Sequence, residues 1–162
     1  MTYRTTAAAM FAVAALGFGG VAAAQWPERP ITLIVPFPAG GGTDTFARPL
    51  AAQLTTQLGQ TVVIDNKGGA GGTVGAGVAA KAKPDGYTFF MGGAHHALAP
   101  SLYKSLSYNI QKDFVPVALV AQPPQVVVIN AGKLPVKTLQ EFIDYAKKRP
   151  GEINFGTAGK GS

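Results

Sequence analysis

The segment that most restricts the fold is Ile31–Val35, five apolar or β-branched residues that run into proline and glycine before a helical pattern begins. Such a run suits a strand buried on both faces, as strands of parallel sheets are. Residues 36–42 break it. From Thr43 the period changes: Phe46, Leu50, Leu54 and Leu58 recur every four residues and share one expected helical face. Gly59 is placed to end that helix.

The unit then recurs. Residues 61–65 read as a second strand, 66–72 as a glycine-rich loop and 73–83 as a helix of small residues. Pro84-Asp85-Gly86 is a turn, and residues 87–91 form a third expected strand. This order predicts an α/β fold, a parallel sheet covered by helices with right-handed crossovers. Farther along, residues 97–103 suggest a short helix, and 115–120 and 125–130 suggest strands. Pro123-Pro124 between them marks the best lobe boundary. Thr138 and Glu141 form a capping box for a helix running to about Lys148, which Pro150-Gly151 stops. Residues 153–155 begin another strand, and a glycine-rich stretch ends the chain where a helix is expected, so the chain reads as truncated.

The first residues differ from the rest. Arg4 precedes an uncharged, alanine-rich apolar run over residues 7–21, and Ala22-Ala23-Ala24 supplies the small residues that signal peptidase reads. The run is short for a membrane span and no stop-transfer charges follow it. The expected organisation is a signal peptide over residues 1–24, cleaved after Ala24, a first lobe over 25–122 and the start of a second lobe over 123–162. The implied location is the periplasm.

Composition narrows the function. The formal net charge is +6, but the basic residues are scattered except for Lys147-Lys148-Arg149. That cluster sits at an expected helix end, where cations complement the dipole, so it argues for no nucleic acid partner. With no Cys, disulfides and thiolate metal sites are excluded.

Three glycine-rich stretches invite a chemical reading. The first, Pro36-Phe37-Pro38-Ala39-Gly40-Gly41-Gly42-Thr43-Asp44, joins a buried strand to a helix N-terminus. This is where α/β folds bind ligands, and outward N–H groups with the helix dipole favour an anion. A plain turn, with Thr43 as the cap and Asp44 complementing the dipole, accounts for the same residues equally well. The second, Gly156-Thr157-Ala158-Gly159-Lys160-Gly161-Ser162, also follows an expected strand. The third, Gly68 to Gly72 with Gly75 and Gly77, formally matches a relaxed dinucleotide fingerprint. It falls inside an expected helix, so close helix–sheet packing explains it better. There is no Walker A loop and no G-x-S-x-G elbow. His95 and His96, the only histidines, are adjacent and should point in different directions. No acid or thiol stands at ligand spacing, which argues against a metal and for a place at a pocket rim or on the surface.

Taken together, the blocks resemble a known family. They are Trp26-Pro27-Glu28-Arg29-Pro30-Ile31, residues 36–44, Asp65-Asn66 with Gly69-Ala70-Gly71-Gly72, Pro84-Asp85-Gly86-Tyr87-Thr88, Pro135-Val136-Lys137-Thr138-Leu139, and Pro150-Gly151 before residues 154–162. Their order resembles the Bug-type receptors of tripartite tricarboxylate transporters, in their N-terminal half. The resemblance implies a two-lobed, periplasmic-binding-protein-like Venus flytrap, with one strand-to-helix loop per lobe gripping a ligand carboxylate. It implies ligand contacts from Phe37, Ala39, Gly40, Gly41, Gly42, Thr43 and Asp44 on the first loop. It implies Thr157, Ala158, Gly159 and Ser162 on the second, with His95 lining the cleft. Asp44 stands where the family carries an acid that orients the loop or meets a cationic amino group.

The function so implied is an extracytoplasmic, monomeric solute receptor, not an enzyme and without a cofactor. It would carry a small carboxylate to the membrane subunits of such a transporter, or to a sensor. The alternatives are an exported α/β enzyme with catalytic residues beyond Ser162, or a remnant of a disrupted gene. Charge-assisted hydrogen bonds contribute about 1.5–3 kcal/mol each against an association cost of at least ~4 kcal/mol. One loop alone should therefore bind weakly.

Overall fold

The computed structural model describes residues 26–124 and 126–157. Three strands, β1 (Ile31–Val35), β2 (Val62–Asn66) and β3 (Thr88–Phe90), form one sheet in the order β2-β1-β3. Both pairings are parallel, with Leu33 opposite Ile64 on one side and Phe89 on the other. The helices are α1 (Gly42–Leu58), α2 (Thr73–Ala80), α3 (Ala94–Leu102) and α4 (Leu139–Lys147).

β1 lies in the middle because it is the most apolar strand: Ile31, Leu33, Ile34 and Val35 are all buried. Side chains alternate across a strand. Ile31, Leu33 and Val35 therefore face α1 with Val62, while Ala47 and Ala51 close the other side of that layer. The chain crosses from β1 to β2 in one direction and returns past β1 to β3 in the other. Right-handed crossovers then place α1 and α2 on opposite faces. The reversal creates a switch point between β1 and β3, where their following loops diverge and leave a crevice.

The helical face of α1 differs from the expected one. Phe46 is exposed, and the buried positions are Asp44, Ala47 and Ala51, continued by the partly buried Leu54 and Leu58. A strict four-residue spacing drifts by about 40° per step around a helix of 3.6 residues per turn, so one stripe cannot hold all four positions. Alanines let the helix sit close to the sheet. Gly59 ends α1 with φ 67° and donates its N–H to the Thr55 carbonyl at 3.1 Å, the left-handed C-cap expected of it.

Helix α4 begins at Thr138, whose hydroxyl accepts from the Glu141 N–H at 3.2 Å. The Glu141 carboxylate reaches one residue farther back than a standard capping box, to the Lys137 N–H at 2.7 Å. The expected strands at 115–120 and 153–155 do not form, nor do residues 126–130; Gln125 lies outside the described residues. Val115, Val117, Val126, Val128 and Phe155 are 74–86% exposed. β-Branched residues favour strands only where a neighbour supplies the ladder and a face is buried, and none of the described residues does so here.

Candidate functional site

The loop after β1 is shaped by one carboxylate. Asp44, in the first turn of α1, is 1% exposed. Its oxygens accept from the Gly40 N–H at 2.8 Å, from Asn66 Nδ2 at 3.0 Å, and from Arg48 Nε and Nη2 at 2.6 and 3.2 Å. These hydrogen bonds, led by that of Gly40 and followed by those of Asn66 and Arg48, hold the carboxyl at about 2, below its ordinary 3.8. Asn66 closes β2 and also donates to the Phe37 carbonyl at 3.0 Å. The ends of β1 and β2 are thus joined through one side-chain amide and one carboxylate.

This arrangement separates the amides of the loop. Gly40 N–H is taken by Asp44, and Gly41 N–H by the Pro38 carbonyl at 3.1 Å. The N-cap of α1 is Gly41, with no side-chain cap, so Thr43 lies inside the helix and does not cap it. Gly42, Thr43 and Asp44 then present first-turn N–H groups, which have no intrahelical acceptor. Pro38, Ala39, Gly40 and Gly42 are exposed. The result is an outward patch of donors at the positive end of a seventeen-residue helix. The Asp44 charge beside it is already neutralised by Arg48.

The second wall follows β3. Phe37, nearly buried, meets the His95 ring edge-on at 5.0 Å between centroids. His95 and His96 are expected to diverge, yet their rings meet at 3.9 Å between centroids, tilted by 48°. Successive helical residues point about 100° apart, but glycine lets the His95 ring fold back. A β-carbon on Gly93 would lie 2.8 Å from His95 Cε1, and one on Gly72 would lie 3.0 and 3.3 Å from Nε2 of His96 and His95. His95 Nε2 is buried with no hydrogen-bond partner. Burial first, then the neighbouring His96, pulls His95 down to about 4.

Gly75 serves packing. At Gly75 an added β-carbon would stand 2.8 Å from Pro36 Cα and 2.7 Å from the Lys67 carbonyl, so α2 can approach the end of β1 only with glycine there. Thr157 is described and exposed, whereas Ala158, Gly159 and Ser162 lie outside the described residues. The structure therefore brings Phe37, Ala39, Gly40, Gly41, Gly42, Thr43 and Asp44 into one loop and sets His95 against it. Sequence reasoning missed Asn66 and Arg48 as partners of this site; His96 falls in the 93–96 segment that the family resemblance sets along the cleft. Arg48 was open to detection as the i+4 partner of Asp44; an asparagine closing a strand carries no comparable signal. Among the described residues no group of three or more His, Cys, Asp or Glu could hold a metal ion, and no helix is long and apolar enough to cross a membrane.

Comparison with known proteins adds a family. A model described as the tripartite tricarboxylate transporter family receptor matches residues 46–162. Protein BugT of Bordetella pertussis is 44% identical over 144 residues, which cover 88% of this chain and 44% of that protein. A UPF0065 protein from the TAR-I ttuE-ttuC' intergenic region of Agrobacterium vitis is 40% identical over 144 residues, 88% of this chain and 41% of that one. The chain thus spans less than half the length of these relatives. Among solved structures, R. palustris Rpa4515 with adipate superposes with a TM-score of 0.79 at 40% identity, over 85% of this chain and 46% of that chain. The periplasmic binding protein BugD gives 0.69 at 40% identity, over 83% and 46%. MatC (Rpa3494) from Rhodopseudomonas palustris with bound malate gives 0.63 at 40% identity, over 75% and 42%.

Proposed function

This chain belongs to the tripartite tricarboxylate transporter receptor family, and from that premise we propose that it is an exported solute receptor whose loop at residues 37–44 binds a carboxylate of a small organic acid. The observation that carries the reading is the set of uncapped N–H groups of Gly42 and Thr43 at the N-terminus of α1, beside an Asp44 whose charge is spent on Arg48, Gly40 and Asn66. A ligand carboxylate meets donors there and no free negative charge. The adipate and malate carried by two solved relatives support a dicarboxylate as the class to try first.

In this reading Ala39, Gly42 and Thr43 touch ligand, while Phe37, Gly40, Gly41 and Asp44 shape the loop. Asp44 does not receive a cationic amino group, because its lone pairs are engaged. His95 forms the adjoining wall, and Thr157, Ala158, Gly159 and Ser162 supply the second loop. The receptor is periplasmic after removal of residues 1–24, acts as a monomer, binds without turnover and hands its ligand to the membrane subunits of the transporter.

Two or three charge-assisted bonds of about 1.5–3 kcal/mol, less an association cost of ~4 kcal/mol or more, leave the first loop with an affinity on the order of millimolar. Calorimetric or thermal-shift titration with adipate, malate and the corresponding dimethyl esters tests this. Saturable binding of the acids and none of the esters is expected. Equal response to acid and ester, or no response to any carboxylate at tens of millimolar, would sink the reading.

A further inference from the structure

The most buried imidazole in the described residues has no part in the ligand contacts above. His96, 1% exposed, sits at the third position of α3 among groups from three segments. Its Nδ1 lies 3.1 Å from the Gly93 nitrogen and 3.3 Å from the Gly93 carbonyl oxygen, and its Nε2 lies 3.3 Å from the Gly72 carbonyl. The neutral ring with its proton on Nε2 accepts from the Gly93 N–H, the shorter of the two Nδ1 contacts, and donates to the Gly72 carbonyl; a proton on Nδ1 would leave the Gly93 N–H without that acceptor. The ring also meets Phe90 of β3 edge-on at 4.9 Å and lies against His95 at 3.9 Å, tilted by 48°. Gly72 has φ +90°, and a β-carbon there would stand in tight contact with both imidazoles, 3.0 Å from His96 Nε2 and 3.3 Å from His95 Nε2.

We propose that His96 is a positioning residue for the carboxylate loop, a neutral clasp that ties the Gly72 loop to the start of α3 and presses His95 against Phe37. It touches no ligand itself. The route is short: His96 fixes His95 by ring-to-ring packing, and His95 bears on Phe37, whose carbonyl is held by Asn66 beside Asp44. The titratable group facing His96 is His95; Gly72, Gly93 and Phe90 carry no charge, and burial, the largest effect, disfavours the imidazolium against the smaller pull of the Gly72 and Gly93 carbonyls towards it. The inference rests on the reading of residues 37–44 as the ligand loop, and its tests include one independent of any ligand.

Long-range proton–nitrogen correlation spectra of the whole chain should show His96 as the neutral Nε2–H tautomer at pH 8, taking up its proton only below the ordinary 6.5. A ring that titrates near 6.5, or carries its proton on Nδ1, would overturn the clasp. Two variants then separate positioning from folding. His96→Asn keeps an acceptor where Nδ1 stood, and His96→Gln keeps a donor that reaches the Gly72 carbonyl. Both should retain the fold by circular dichroism and shift the amide resonances of Phe37 and Gly72. Adipate binding should weaken by roughly fivefold to tenfold in each. Unmoved Phe37 and Gly72 resonances in two folded variants would refute the positioning role. If the parent chain binds no carboxylate at all, the ligand-loop reading fails, and the tautomer and the Phe37 resonance still decide whether the clasp exists.

Discussion

Asn66 Nδ2 stands 3.0 Å from both Asp44 Oδ1 and the Phe37 carbonyl oxygen, so one amide group of β2 fixes both the carboxylate and the backbone of the loop after β1. Asn66→Ala removes both bonds and should cost about 2 kcal/mol in urea unfolding. Asn66→Asp sets a second carboxylate against Asp44 and should cost more. Equal effects, or a more stable aspartate variant, would show that the two groups do not meet as described.

The Asp44 carboxyl has a folded-state value near 2 against an ordinary 3.8. A depressed acid contributes stability that is fully present above the ordinary value and is lost as pH falls through the folded one. The melting temperature of the parent chain minus that of Asp44→Asn should therefore be constant above about pH 4 and shrink between pH 3.8 and pH 2. A difference that stays flat across that window contradicts the network.

His95 gives the complementary window. Its value near 4 lies below the ordinary 6.5, so between them the unfolded chain binds the proton and the folded chain does not. Stability therefore falls as pH drops from 6.5 to 4. His95→Phe keeps a ring against Phe37 and His96, and should reduce that slope in thermal melts, the remainder coming from His96, whose value is lowered as well. A slope unchanged in the variant would assign the loss to other groups.

Two glycines with left-handed backbone separate conformation from contact. Gly59 has φ +67° with nothing within 4 Å of an added β-carbon, so Gly59→Ala should cost about 1–2 kcal/mol, the left-handed penalty alone. Gly72 at φ +90° adds tight contacts with both imidazoles, at 3.0 and 3.3 Å from an added β-carbon. Gly72→Ala should cost clearly more in chemical denaturation and should move the His96 ring resonances. Similar costs at the two positions would mean that the imidazole pair does not pack against Gly72.

Much of the fold was legible because its signals are local. Ile31–Val35 is apolar enough to be the middle strand, Gly59 stands where a left-handed residue is required, and Thr138 and Glu141 announce α4 three residues apart. The site was half legible. Glycines between a strand and a helix mark the loop, but which amides remain free depends on Asp44 accepting from Asn66, twenty-two residues away and on another strand. The imidazole contact escaped notice because it depends on Gly72 and Gly93 leaving room for a ring to fold back. Two blocks that carried the family resemblance turn out to brace each other. Arg29 pairs with Asp85 at 2.9 Å and lies over the Tyr87 ring at 3.8 Å, and Trp26 donates to the Gly86 carbonyl at 3.3 Å. The valine runs misled for the opposite reason, since their strand preference is local while a ladder needs a partner.

The most direct measurement is a proton–nitrogen titration of the isotopically labelled chain with adipate, followed at single amides. The account predicts saturable shifts of Ala39, Gly42 and Thr43 at millimolar adipate, with Gln53 on the exposed side of α1 unmoved and all three shifts lost in Asp44→Asn. Adipate that leaves those three amides in place, or moves a different set while sparing them, would contradict the claim that residues 37–44 form the carboxylate site.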